Sequence, residues 1–129
     1  MLELHRANQI RKLRMSEELA VIDATYGFGV WLDAQIERFP KASQFRLGPP
    51  LTARHAAIMD QLLLAKFGKE KSEPLTQAAL LLEQLRFQLR LCRDRRYLSN
   101  NSHLAATQQL SEISRQIQGW RRFCDRSPH

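Results

Sequence analysis

Residues Leu81–Leu98 read LLEQLRFQLRLCRDRRYL, a stretch that restricts the fold more than any other. At about 100° per residue, Leu82, Leu85, Leu89 and Cys92 fall on one helix face, and Leu80, Phe87 and Leu91 fall nearly opposite. Arg86, Arg90 and Arg93 run between the two faces, roughly one turn apart. A surface helix of a monomer needs only one apolar stripe. The second stripe calls for a partner, and the arginine rail calls for an anion. One alternative stays open: burial of Leu80, Phe87 and Leu91 by the protein's own first or second helix.

The rest of the chain is helical by the same criterion, with no alternating strand pattern. A first helix is expected from about Glu17 to Arg38, with Ser16 as N-cap and Glu17 and Glu18 at the positive end of its dipole. Leu19, Ile22, Tyr26, Val30 and Phe39 form its expected core stripe. Gly27 and Gly29 flank Phe28 in mid-helix and suit the close approach of another backbone. The stretch from Pro40 to Pro50 reads as a loop, with Pro49 and Pro50 opening a second helix that carries Leu51, Ile58, Leu62 and Ala65 to about Phe67. Ser72 is the expected cap of a third helix reaching about Tyr97, and the turn SNNS at 99–102 breaks it. A fourth helix runs from about His103 to Phe123, its stripe of Ala106, Leu110, Ile113, Ile117, Trp120 and Cys124 keeping heptad spacing. Trp120 holds that stripe and so reads as core. The expected fold is all-α, a single up-down-up-down antiparallel four-helix bundle over residues 16–124. Residues 1–15 are expected to be a loosely ordered basic extension and 125–129 a C-terminal tail.

A chain of 129 residues is long enough for one domain with its own core. No apolar run is long enough to span a bilayer, and the first fifteen residues lack the apolar block of a secretory signal. A cytoplasmic protein without membrane contact is the expectation.

The formal net charge of +7 is unevenly placed. Residues 1–83 carry 11 basic and 10 acidic side chains, whereas residues 84–129 carry 9 basic and 3 acidic. Every basic residue in that last third is arginine, whose planar guanidinium forms bidentate contacts with phosphate and stacks on bases. Such clustering suits a nucleic-acid surface or an acidic protein partner, and it also suits a merely solvated basic face. Tyr97, beside Arg96 near a helix end, is the candidate for stacking on a base.

Catalytic and metal-binding patterns are missing from the sequence. No glutamate is followed at i+3 by histidine, the spacing a di-iron bundle needs; Glu83–Arg86 and Glu112–Arg115 read instead as surface ion pairs. His5, His55, His103 and His129 lie on different segments. In an antiparallel hairpin Cys92 and Cys124 sit roughly 24 Å apart, too far for a disulfide. No enzyme, cofactor or metal is expected.

The string Leu82-Glu83-Gln84-Leu85-Arg86-Phe87-Gln88-Leu89-Arg90-Leu91 resembles the accessory variability determinant (Avd) family of diversity-generating retroelements, four-helix bundles related to 23S rRNA intervening-sequence proteins. The likeness continues through Asp94, Leu98 and the SNNSH turn, then Glu112-Ile113 and Gly119-Trp120 in the last helix. Earlier, Phe39-Pro40-Lys41, Phe45-Arg46-Leu47-Gly48 and the LLLAKF end of the second helix match. Ser114 and Gln118 stand where the family usually has glycine, the pair Pro49-Pro50 is atypical, and residues 1–14 have no counterpart. The resemblance implies a non-enzymatic partner of a reverse transcriptase, assembled as a ring-like homo-oligomer, a pentamer in the family. It implies a basic surface that binds the reverse transcriptase, template-repeat RNA and cDNA during mutagenic cDNA synthesis and retrohoming. On that expectation Arg86, Arg90, Arg93, Arg95, Arg96, Tyr97, Arg121 and Arg122 contact nucleic acid or partner, and Leu80, Phe87 and Leu91 form the subunit interface. Arg86 and Arg90 have the alternative of pairing with Glu83 or a neighbouring subunit's carboxylate. The competing function is that of an oligomeric interaction protein of the intervening-sequence type, with no reverse-transcriptase partner.

Overall fold

The computed structural model describes residues 1–126, so His129 lies outside the described residues. Four helices account for nearly all of them: α1 Leu2–Glu37, α2 Lys41–Phe67, α3 Ser72–Asp94 and α4 Asn100–Arg126. Each packs on its chain neighbours and α1 closes against α4, while the diagonal pairs α1–α3 and α2–α4 stay apart. The result is a four-helix bundle. Cross-helix contacts fix the directions. Arg121 reaches Thr76 at 3.4 Å and Arg86 reaches Ser111 at 3.4 Å, so α4 descends as α3 ascends. Glu18 meets Lys66 and Thr25 meets His55, which makes α1 and α2 antiparallel as well. No helix is long and apolar enough to cross a membrane among the described residues.

The core face of α3 is as the periodicity predicts, with Leu82, Leu85, Leu89 and Cys92 buried. The same holds for Ala106, Leu110, Ile113, Ile117 and Trp120 on α4, while Cys124 is only half-buried. Both cysteines are free thiols.

Of the expected α1 stripe, Phe39 is buried and Ile22 packs against the core, but the other three residues are misplaced. Val21, Phe28 and Leu32 are buried together with Thr25, whereas Leu19, Tyr26 and Val30 are exposed. Two apolar faces compete on this helix, and hydropathy favours the one without polar members. Local hydrogen bonding reverses that choice. The Thr25 hydroxyl donates to the Val21 carbonyl at 2.8 Å, and Glu18 is paired with Lys66 at 3.4 Å, so both polar side chains tolerate the inner face.

All four helix starts also differ from expectation. The first helix starts at Leu2 rather than near Ser16, so the basic extension is helical rather than loose. Residues 1–13 are exposed throughout. The 40–50 segment is helix rather than loop: Pro40 is the N-cap of α2, and its carbonyl accepts from the Ser43 and Gln44 amides at 2.8 and 2.9 Å. Pro49 and Pro50 then sit inside the helix, where they remove two backbone donors. Phe45 and Arg46, whose carbonyls lose those donors, lie on the exposed side where water replaces them. Finally, α4 begins at Asn100, with the Ser99 hydroxyl accepting the Ser102 amide at 3.0 Å. Ser72 is the first residue of α3 rather than its cap; Glu70 instead accepts the Glu73 amide at 3.1 Å.

The α2–α3 turn is held from within. Lys71 Nζ donates to the carbonyls of Ala65, Lys66 and Gly68 at 2.7, 3.2 and 3.4 Å, satisfying acceptors that the end of α2 leaves free.

Candidate nucleic-acid interface

The arginines of α3 and α4 divide into three groups along the bundle. The middle group is Arg86 and Arg90. They flank a groove of about 220 Å³ between α3 and α4, with Glu83, Phe87, His103 and Thr107 on its rim and Leu89, Ala106 and Leu110 as floor. Arg86 Nε donates to Glu83 at 3.2 Å. Arg90 is exposed and has no ion-pair partner among the described residues. Arg86 thus makes the pair with Glu83 that its spacing offers, and Arg90 makes none. His103 on the rim has its pKa lowered, first by partial burial and then by Arg93, with Arg90 adding to the repulsion and Asp94 opposing it.

The second group lies at the α3–α4 turn. Here α3 ends in a Schellman motif: the Tyr97 amide bonds the Cys92 carbonyl at 2.8 Å and the Arg96 amide bonds the Arg93 carbonyl at 2.9 Å. The position of left-handed backbone in that motif usually belongs to glycine, but here it is Arg96, with φ 64°. A β-carbon in that conformation costs on the order of 1 kcal/mol. Arg93 forks onto Asp94 at 3.1 and 2.8 Å. Arg95 stands 6.0 Å from the Tyr97 ring. Arg95 and Arg96 are exposed and, like Arg90, outside the ion pairs of the described residues.

Tyr97 is half-buried rather than free-standing. Its ring lies 6.0 Å from that of Phe39, and its hydroxyl accepts from Arg46 at 3.4 Å. The neighbouring Ser43 hydroxyl, then Arg95 and Arg46, pull the phenol below its ordinary pKa. Arg46 was missed from the sequence because its segment read as a loop. Placed on α2, it adds a further guanidinium to the cluster around Arg93, Arg95 and Arg96.

The third group is at the far end. Arg121 lies over α3, donating to Gln118 at 3.2 Å and Thr76 at 3.4 Å. Arg122 turns the other way, to the α1–α4 side, where it lines a separate cavity with Arg14 and Arg115. The eight expected contact residues thus do not share one face: Arg86, Arg90 and Arg121 lie on the α3–α4 side, Arg93, Arg95 and Arg96 gather at the end of α3, Tyr97 turns to Phe39 and Arg46, and Arg122 faces α1. Arg115 stands seven residues before Arg122, a spacing that places both on one helix face and that the sequence already contains.

The second apolar stripe of α3 is open to solvent. Leu80, Phe87 and Leu91 are 52%, 67% and 51% exposed, so the protein's own helices do not cover them. Leu19, Tyr26 and Val30 form a comparable stripe on α1, at 49%, 64% and 58%. Comparison with protein-family models, curated proteins and solved structures finds no match to this chain.

Proposed function

We propose that this chain is a non-catalytic accessory protein of a diversity-generating retroelement, binding reverse transcriptase and RNA or DNA along the α3–α4 face and supporting mutagenic cDNA synthesis. The reading rests on the resemblance of the 82–91 string to the Avd family. The observation that carries it furthest is Arg96 at the left-handed position of the Schellman motif. A residue held there against its backbone preference, beside Arg93 and Arg95, supports a role for the guanidinium beyond packing, and phosphate is the anion its planar fork matches. The ion pairs that hold Arg86 and Arg93 are exposed, and such pairs contribute only about 0–1 kcal/mol. Phosphate oxygens replace those carboxylates at little cost.

Self-association belongs to the same proposal. A ring of more than two copies needs two different patches, one complementary to the other, related by a rotation that closes. The stripes on α1 and α3 lie on diagonal helices, so each faces away from the other. That placement suits head-to-tail assembly into a cytoplasmic ring.

The test is RNA binding as a function of salt. Affinity falls steeply with salt where arginines displace counterions, and each phosphate contact removed lowers the log–log slope by roughly 1. Replacing Arg90, Arg95 and Arg96 by glutamine is expected to flatten the slope by about 3. An independent readout is the His103 titration, because phosphate beside Arg90 and Arg93 cancels the repulsion and raises its midpoint. Salt-independent binding, or a His103 midpoint unmoved by saturating RNA, counts against the nucleic-acid role. RNA binding without retention of the cognate reverse transcriptase favours the intervening-sequence type of function.

A further inference from the structure

The exposed apolar stripes of α1 and α3 share one spacing. Leu19, Tyr26 and Val30 stand at i, i+7 and i+11, and so do Leu80, Phe87 and Leu91, at a constant offset of 61 residues. Laid side by side in the same direction, the stripes match residue for residue: Leu19 with Leu80, Tyr26 with Phe87, Val30 with Leu91. Laid in opposite directions, with Leu19 against Leu91 and Val30 against Leu80, Tyr26 falls three residues away from Phe87 and the central pair is lost.

The bundle imposes the same direction. Both α1 and α3 run antiparallel to α2, the latter because Arg54 meets Gln84 and Arg46 meets Tyr97. A second copy turned about an axis along the helices therefore presents its α3 to α1 in parallel. The levels agree as well. Thr25 meets His55, and the adjacent Arg54 meets Gln84, so Thr25 and Gln84 lie at one height in the bundle. Phe39 and Tyr97 share a height at its end. The register that matches the stripes departs from these levels by two or three residues, roughly 3–5 Å of rise. That is close to the zero translation a closed assembly requires. Charge points the same way. Residues 15–37 hold five carboxylates and no basic side chain, in a chain of net charge +7. Asp33 and Glu37 prolong the α1 stripe, seven residues after Tyr26 and Val30. Both are exposed and outside the ion pairs of the described residues. In the parallel register they stand beside the end of the neighbour's α3, where Arg90, Arg95 and Arg96 are unpaired and Asp94 is already forked by Arg93. In the opposite register Glu37 faces Glu73, and Asp33 faces Gln77.

We propose that the outer face of α1 receives the α3 stripe of a second copy in parallel, with Asp33 and Glu37 setting the register against that copy's Arg90 and Arg95. The proposal rests on the self-association described above and is independent of RNA binding. Charges at such a contact fix direction and register more than they add affinity. A guanidinium has more donors than one carboxylate takes, so these arginines keep some for phosphate.

Disulfide trapping reads the register directly, in a Cys124→Ser background where the remaining native thiol, Cys92, is buried. A chain carrying Val30→Cys and Leu91→Cys is expected to form linked multimers on oxidation, and a chain carrying Val30→Cys and Leu80→Cys is expected to form none. Asp33→Arg with Glu37→Arg weakens association about tenfold or more, since it sets arginine against arginine. Adding Arg90→Glu and Arg95→Glu to that chain restores it. Linkage through Val30→Cys and Leu80→Cys, or through Leu91→Cys alone, overturns the parallel α1–α3 contact while leaving self-association in place. Association indifferent to the charge reversal, or not restored by the second one, overturns the role of Asp33 and Glu37. An unaltered chain that light scattering finds monomeric overturns the self-association reading together with the proposal; absent linkage in a chain that does associate overturns the proposal alone.

Discussion

Gly27 and Gly29 occupy the same helix two residues apart and have opposite reasons to be there. A β-carbon at Gly27 meets nothing within 4 Å, whereas one at Gly29 falls 2.2 Å from the His55 ring. That ring is held by its own contact, His55 Nε2 to the Thr25 carbonyl at 2.8 Å. The close approach expected at these glycines is real at Gly29, but it is made by a side chain rather than a backbone. Gly27→Ala is expected to raise stability by about 0.5–1 kcal/mol, the gain in helix propensity alone. Gly29→Ala displaces His55, and the lost contact and repacking outweigh that gain, leaving a net loss of about 1 kcal/mol. Urea unfolding of the two variants separates them by sign. Glu112 offers a second residue-scale test. Arg115, and secondarily Gln116, hold its carboxyl down to about 2. Its folded pKa is depressed, so the pair's contribution is present above the ordinary carboxylate range and is lost as pH falls through about 2. Carboxyl NMR should find that midpoint, and Arg115→Ala should return it toward 4.5. A midpoint unaffected by Arg115→Ala removes the pairing as its cause.

At the scale of elements, the end of α3 sets stability against charge. Arg96→Gly relieves the left-handed strain and is expected to raise stability by about 1 kcal/mol, while removing one guanidinium from the basic cluster. A higher melting temperature with weaker RNA binding is the expected pair of results; a lower melting temperature shows that Arg96 makes contacts that outweigh its backbone cost. The same element illustrates what a sequence reveals. The core faces of α3 and α4 were legible because Leu82, Leu85, Leu89 and Cys92 on one, and Ala106, Leu110, Ile113, Ile117 and Trp120 on the other, keep unbroken helical spacing with no polar member. The face of α1 was not, since its choice depends on Thr25 bonding within its own helix and on Lys66 arriving from α2. Neither is a property of residues 17–38. The start of α2 was hidden by Pro49 and Pro50, which ordinarily open a helix and here lie a turn or more inside one. Among the expected contact residues, the α3 arginines were placed by periodicity. Arg46 was invisible as a member of the cluster because only the packing of α2 beside the end of α3 brings it to Tyr97.

For the whole molecule, the two exposed stripes make a prediction that distinguishes modes of assembly. A two-fold interface uses one patch against itself, whereas a head-to-tail interface uses two. If α3 meets α1 of the next copy, Phe87→Asp destroys one half of every contact and Tyr26→Asp the other. Each variant alone is then monomeric, with helical content retained because both side chains are exposed. Mixing the two is the decisive step. The Tyr26→Asp chain keeps an intact α3 stripe and the Phe87→Asp chain an intact α1 stripe, so one contact re-forms and propagation stops at a dimer. Light scattering of the mixture should therefore detect heterodimers and nothing larger. An α3-to-α3 interface gives a different outcome: Tyr26→Asp self-associates without its partner, and the mixture contains no heterodimer. Loss of helix in Phe87→Asp, contrary to the exposure of this side chain, would assign the residue to the core instead.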